Sequence, residues 1–260
     1  MIDLHSHVLP GLDDGARDQT QALKVLRLLA ADGVTGVVCT PHLRASDVAA
    51  GGERAIERRD VALTELRAHA PRVPALHPGF EIMLDEPPDA VIMADRRYAL
   101  AGSRYYLVEF RLGVVAHLAT RILADMVRAG VVPVVAHVER YGVCSAAVVA
   151  DWKAAGARIQ VDATTLTRPT GRGRLARSLI ETGLVDVLAA DNHGDGRSLR
   201  TAVEFLRAKA TDGGAAVEGP VAQLTRGNPG CVLEGGAMVD VQALRIKEGL
   251  MGRVRRIFGR

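Results

Sequence analysis

The sequence predicts an α/β chain built as a distorted (β/α)7-type barrel, and three observations carry that expectation. Short apolar, β-branched runs alternate with helical patterns along almost the whole length, as parallel strands do when helices join and cover them. Five of the eight histidines stand, together with carboxylates, where those runs end. These polar positions are spread over six different runs. An open sheet would gather its functional residues at one switch point, whereas a ring of strands collects them at its C-terminal rim.

Taken in order, residues 1–4 form a short opening strand that leads into His5-Ser6-His7. A helix is expected over 18–31, where Leu23, Leu26 and Leu29 recur on one face. Asp18 and Gln21 are placed as a capping box there, and Gly33 follows the end. Strand 34–39 precedes Thr40-Pro41-His42, and the Ala- and Gly-rich stretch 46–52 reads as a mobile loop beside His42. Helix 53–70 then leads to strand 76–81, which ends at Glu81. Strand 106–110 carries Glu109, helix 115–129 follows, and strand 131–136 delivers His137. Helix 146–155, strand 157–161 and helix 174–182 continue the alternation. Strand 184–190 then runs into Asp191-Asn192-His193, and helix 198–210 precedes an expected loop over 211–219.

With 260 residues, 48% of them hydrophobic and 24% charged, the chain suits one large domain with a full core. Its opening residues lack the basic stretch and apolar segment of a signal peptide, and no run approaches the ~20 apolar residues of a membrane span. Cys39, Cys144 and Cys231 form no CxxC pair, which favours a reducing, cytoplasmic setting. A net charge of +3 gives no argument for a nucleic-acid partner. From Leu244 to the end, apolar residues interleave with Arg245, Lys247, Arg253, Arg255, Arg256 and Arg260. A basic amphipathic helix there could lie on anionic lipid. Gly249, Gly252 and Gly259 weaken it, so a terminal arm packed on its own or a neighbouring subunit is the expectation, in a chain that could form homo-oligomers.

The most informative pair is His5 and His7. On an extended strand, residues two apart share a face, so both imidazoles can grip one ion. Asp14, His42, Glu81, Glu109, His137, Asp191 and His193 complete a set of nine donors. Nine are too many for one ion and suit two or three ions bridged by carboxylates, as in metal-assisted phosphoester hydrolysis. Imidazole and carboxylate without thiolate favour manganese, iron or zinc over a soft copper site.

These residues lie in longer segments that match a known family. They are Ile2-Asp3-Leu4-His5-Ser6-His7-Val8-Leu9-Pro10-Gly11-Leu12-Asp13-Asp14-Gly15-Ala16, Thr40-Pro41-His42, Pro78-Gly79-Phe80-Glu81-Ile82, Leu107-Val108-Glu109-Phe110, Pro133-Val134-Val135-Ala136-His137-Val138-Glu139-Arg140-Tyr141 and Ala190-Asp191-Asn192-His193. In this order the chain resembles the PHP-superfamily (polymerase and histidinol phosphatase) protein-tyrosine phosphatases of the CpsB/CapC type, manganese-dependent enzymes of bacterial capsule and exopolysaccharide operons. The resemblance runs over 1–234 and leaves 235–260 as a basic C-terminal arm. It implies the PHP fold, with the nine donors holding two or three divalent ions. It also implies a phosphotyrosine substrate, the tail of a bacterial tyrosine kinase that controls polysaccharide export. Val138 stands where proline is usual, Leu43 where a second histidine is frequent, and Asn192 within a Ser-Asp-Ala/Gly-His pattern. None of these departures removes a ligand.

A phosphate monoester repels an incoming hydroxide, and bridging ions both lower the pKa of bound water and clamp the phosphoryl group. Arg140, inside the family motif, and Arg197, with Arg200 as an alternative, are the expected catalytic and substrate-binding guanidiniums, which match phosphate oxygens bidentately. Asp13 is weighed as a general acid and, preferentially, as a loop residue bonding local amides. His69, His77 and His117 fit no ligand pattern. No cysteine has arginine at the Cys-x5-Arg spacing, so thiolate catalysis is rejected. A histidinol-phosphatase-like small-molecule enzyme and an inactive metal-stabilised binding module are the competing readings.

Overall fold

The structure, a computed structural model, describes residues 1–70, 72–211 and 213–247. It is an α/β fold of parallel sheets. The strands are β1 (Ile2–Ser6), β2 (Gly36–Cys39), β3 (His42–Arg44), β4 (Ala75–Pro78), β5 (Glu81–Met83), β6 (Tyr105–Glu109), β7 (Val132–Val135), β8 (Arg158–Asp162) and β9 (Val187–Ala189). One sheet has the order β1-β2-β4 and the other β3-β5-β6-β7-β8-β9. The sequence suggests seven strands because two of them are each interrupted once. Pro41, which has no amide hydrogen to give a ladder, separates β2 from β3. Gly79 separates β4 from β5, where a Cβ would lie 2.7 Å from Val38 Cγ1. Register is kept across both breaks, with Cys39 opposite Pro78 and His42 opposite Glu81. A parallel bridge between Ser6 and Asn192 brings the end of β1 beside the chain leaving β9.

Apart from β3 and β4, which keep exposed residues, the strands are buried on both faces, as parallel strands under helices must be. Leu4, Val38, Tyr105, Leu107, Val134, Ala136 and Val187 pack together on the inner face. Alternate residues such as Tyr106, Val108 and Val135 meet the outer helices, among them Ala119, Leu123 and Met126 of α4 (Ala116–Arg128). Helix α1 (Gln19–Ala31) forms as its pattern implies: Asp18 accepts from Gln21 N, and Ala22, Val25, Leu26 and Leu29 are buried. Burying each large aliphatic side chain contributes about 1.5–3 kcal/mol.

One expected loop is helical and a second is helical in part. Residues 46–52 lie inside α2 (Ala45–His69). There Asp85 accepts from Ser46 N and Oγ, and Gly52 packs so closely that a Cβ would stand 2.1 Å from Tyr98 Oη. The glycine serves close packing, not chain flexibility. Of the segment 211–219, residues 215–219 belong to the helix Ala215–Ala222. Residues 236–247 form no helix and pack on the body: Met238, Val241, Leu244 and Ile246 are buried, and Tyr105 Oη accepts from Met238 N. The expected basic terminal arm falls mostly on 248–260, outside the described residues. Among the described residues no helix is long and apolar enough to cross a membrane.

Candidate metal centre

The inner faces of the strands end in polar residues, and an irregularity in β1 lets it supply two imidazoles. Its register against β2 slips between Asp3 and Ser6. Leu4 belongs to the inner cluster, yet its neighbour His5 also reaches inward, with Nε2 3.2 Å from Glu81 and 3.3 Å from Asp191. Bulges commonly re-aim side chains in this way beside active sites. The His5 amide donates to the buried Asp3 carboxylate, which also accepts from Ala190 N. His7 lies just past the strand with its Nε2 3.1 Å from that of His5. Gly15 permits this approach, because a Cβ would lie 2.0 Å from the His7 carbonyl oxygen. His137 and Asp191 adopt left-handed backbone, φ 33° and 49°, a conformation that costs a non-glycine residue about 1–3 kcal/mol and concentrates at functional sites.

Three sets of donor atoms lie close enough to share an ion: His5, His7 and Glu81; His42, Glu81 and Glu109; and His7, Asp14, His42 and His193. Asp191 Oδ1 borders the first set, 3.3 Å from His5 and 3.5 Å from His7. His137 Nε2 borders the second, 2.9 Å from Glu81 and 3.7 Å from Glu109. All nine expected residues therefore fall in one connected cluster. Glu81 belongs to two sets, as a bridging carboxylate would, whereas Glu109 belongs to one.

The donor set fits cations. Glu81 Oε2 is buried within 3.0, 3.2 and 3.3 Å of ring nitrogens of His42, His5 and His7, yet accepts no well-directed hydrogen bond. His137 Nδ1 is also buried without a partner. Converging polar atoms left in this state are costly unless something positive sits among them. The far ring nitrogens are set accordingly. His7 Nδ1–H donates to Asp13 Oδ2 at 2.7 Å, and His5 Nδ1–H to Gln160 Oε1 at 3.2 Å. Both Nε2 lone pairs are thereby turned toward the cluster. Burial opposes protonation of His5, but Glu81 and Asp191 outweigh it and push its pKa up to about 9. Burial and then the Glu81 charge push Glu109 up to about 7. Burial would raise Asp191 too, yet His5, a bond from His7 and Arg140 hold it far below the usual carboxylate range. Cations binding here would displace protons.

Both expected arginines reach the cluster. Arg140 Nη2 donates to Asp191 and, at 3.2 Å, to Asp162. Asp162 is itself fixed by Thr164 N and Thr165 N at the start of the short helix Ala163–Thr167, and its amide donates to Glu139 Oε1. Arg197 Nη1 is 3.6 Å from Asp191, with its Nε bonded to Asp195. Arg200 pairs with Glu204 and Asp32 instead. Asn192 shapes this loop: its Oδ1 accepts from Gly194 N and Asp195 N, and its Nδ2 donates to Arg197 O. Asp13 does bond the amides of Gly15 and His42, as the sequence suggested, but it also holds His7, which the sequence did not reveal. Asp3, Gln160 and Asp162 were missed. Their one signal is a polar side chain inside a strand that is otherwise buried. His69, His77 and His117 stand in none of the three donor sets.

Tyrosine-protein phosphatase YwqE of Bacillus subtilis is 28% identical over 199 residues, 74% of this chain and 77% of YwqE. Tyrosine-protein phosphatase CpsB of Streptococcus pneumoniae is 26% identical over 204 residues, 74% of this chain and 83% of CpsB. A crystal structure from work on that YwqE and CpsB, described as unique metal-dependent tyrosine phosphatases, superposes with a TM-score of 0.75. It is 23% identical and covers 96% of this chain and all of the other, a likeness of fold. Dihydropyrimidinase from Brevibacillus agri shares the fold more distantly, with a TM-score of 0.53 over 94% of this chain and 73% of its own at 12% identity. Residues 1–234 match the family described as capsular polysaccharide synthesis, CpsB/CapC, and the chain belongs to that family.

Proposed function

We propose that the protein is a metal-dependent protein-tyrosine phosphatase. The observation that carries this reading is the convergence of nine imidazole and carboxylate donors, from the ends of β1, β6, β7 and β9 and the loops after them and from the first residues of β3 and β5, with two guanidiniums on Asp191. The ions, two or three with manganese foremost, would supply a nucleophile at neutral pH and positive charge for the phosphoryl oxygens. His5, His7, Asp14, His42, Glu81, Glu109, His137, Asp191 and His193 would hold them, at the mouth of a distorted seven-stranded barrel of the PHP type. Support for that barrel comes from the two interrupted strands shared by the sheets and from the Ser6–Asn192 bridge. We read 1–234 as the catalytic unit and 235–260 as a basic arm.

The protein's own groups orient the ester. Arg140, braced by Asp162, and Arg197, braced by Asp195, offer N–H donors to phosphate oxygens on the side of the cluster where Asp191 lies. Water reaches Asp14 and His42, whose side chains are 71% and 39% exposed. An open mouth of this kind suits a phosphotyrosine carried on a protein better than a small metabolite that must be enclosed. The substrate we favour is a bacterial tyrosine kinase tail, met in the cytoplasm. A phenol leaves more readily than an alkyl alcohol because its pKa is ~10, so a site without an obvious general acid suits an aryl ester.

The test is metal stoichiometry and turnover together. The purified chain should contain two or three transition-metal ions, lose them and its phosphatase activity to a strong chelator, and recover both with manganese. A panel should rank a phosphotyrosine peptide above histidinol phosphate. A protein free of metal and indifferent to chelation would falsify the mechanism.

A further inference from the structure

The same alternation that aims His42 and Glu109 at the cluster aims two more arginines at its rim. In β3, His42 is exposed, Leu43 buried and Arg44 exposed. Leu43 packs in the outer cluster with Ile82 and Val108, so Arg44 stands on the cluster's side of the strand, one step beyond His42. Past the end of β6 the pattern repeats. Glu109 belongs to the site, Phe110 is buried in the outer cluster, and Arg111 is exposed. The two strands flank β5, with Arg44 opposite Met83 and Met83 opposite Glu109. Arg44 is thus level with Glu109 and two strands away from it, and Arg111 lies two residues past that level, both on the rim away from Arg140 and Arg197, which follow β7 and β9.

Neither guanidinium forms an ion pair among the described residues. The nearest rim carboxylate in register, Asp85, is taken up by Ser46 N at 3.2 Å and Ser46 Oγ at 2.6 Å, and feels Arg111 only at longer range. The other arginines at the site each have a carboxylate brace. Two unbraced guanidiniums one strand step outside the cluster leave positive charge facing whatever flanks the bound ester.

From this placement we infer that Arg44 and Arg111 form a docking rim for acidic side chains next to the phosphotyrosine. The inference rests on the phosphatase reading for the location of the ester, and it adds the class of sequence that the site prefers. Each contact is an exposed ion pair, so the selectivity is modest, about three- to tenfold for the two together, and falls as salt rises.

The experiment measures binding, which does not depend on turnover. Two fluorescent peptides carry a non-hydrolysable phosphonate in place of phosphotyrosine and differ only in having glutamate or glutamine neighbours. Their Kd values are read by anisotropy on the full manganese-loaded chain at low and high salt. The wild type should prefer the glutamate peptide, and Arg44→Gln and Arg111→Gln should each shrink the ratio. The double variant should bring it near one with metal content unchanged. A wild type that binds both peptides equally, or a double variant that keeps the full ratio, overturns the inference. Turnover of the matching phosphotyrosine peptide is followed in parallel. Acidic preference that depends on these arginines, in a protein that turns over neither substrate, supports the rim and removes the phosphatase reading instead.

Discussion

Replacing Arg140 separates phosphate recognition from metal binding. The guanidinium is not a metal ligand, and it is held by two carboxylates, Asp162 at 3.2 Å and the buried Asp191. Arg140→Ala should therefore leave metal content close to wild type while removing a preorganised partner for charge that develops on the phosphoryl oxygens. Losing one such partner costs on the order of 2.7–4 kcal/mol, about a hundredfold or more in kcat. Arg140→Lys should recover only part, since it restores a charge without the planar fork. Asp162→Asn tests the brace: it weakens one charge-assisted bond, so about tenfold is expected, with the same metal content and no further loss when combined with Arg140→Ala. The assay is metal stoichiometry beside kcat and KM for a phosphotyrosine peptide. Wild-type kinetics in Arg140→Ala would refute the assignment and leave the clamp to Arg197. Loss of metal in the same variant would show that Asp191 depends on Arg140 for its placement.

Asp13→Ala should weaken metal binding about 10–100-fold by releasing the Nδ1 side of His7, and Gln160→Ala should do the same through His5. A metal titration showing wild-type affinity in both would remove the orienting role. The cysteines should be dispensable. Burial pushes Cys39 up to about 12, and burial and then Glu139 push Cys144 to about 12, so at neutral pH both are thiols rather than nucleophilic thiolates. Changing all three cysteines to serine should leave kcat largely intact, and loss of turnover in a folded, metal-loaded variant would point to the wrong nucleophile.

The parts of this protein legible in sequence are those set by short-range periodicity. His5-Ser6-His7, and polar residues after apolar runs at His42, Glu81, Glu109, His137 and Asp191, are visible because side chains alternate along a strand and a buried run turns polar where it leaves the core, although His42 and Glu81 open β3 and β5 instead of closing a strand. Helix α1 was readable for the same reason: its cap and its apolar stripe lie within one segment. The orienting groups were not readable. Gln160 meets His5 across a separation of 155 residues, and Ala190 N meets Asp3 across 187. Such partners exist only once the sheet order has placed β8 and β9 near β1. The helix over 46–52 was decided likewise by contacts with Asp85 and Tyr98, which overrode the weak local signal of its glycines. Local periodicity fixes which face a side chain takes, but which faces meet is a property of strand order. The candidate ligands could therefore be named from the sequence, while the groups that aim them came from the fold.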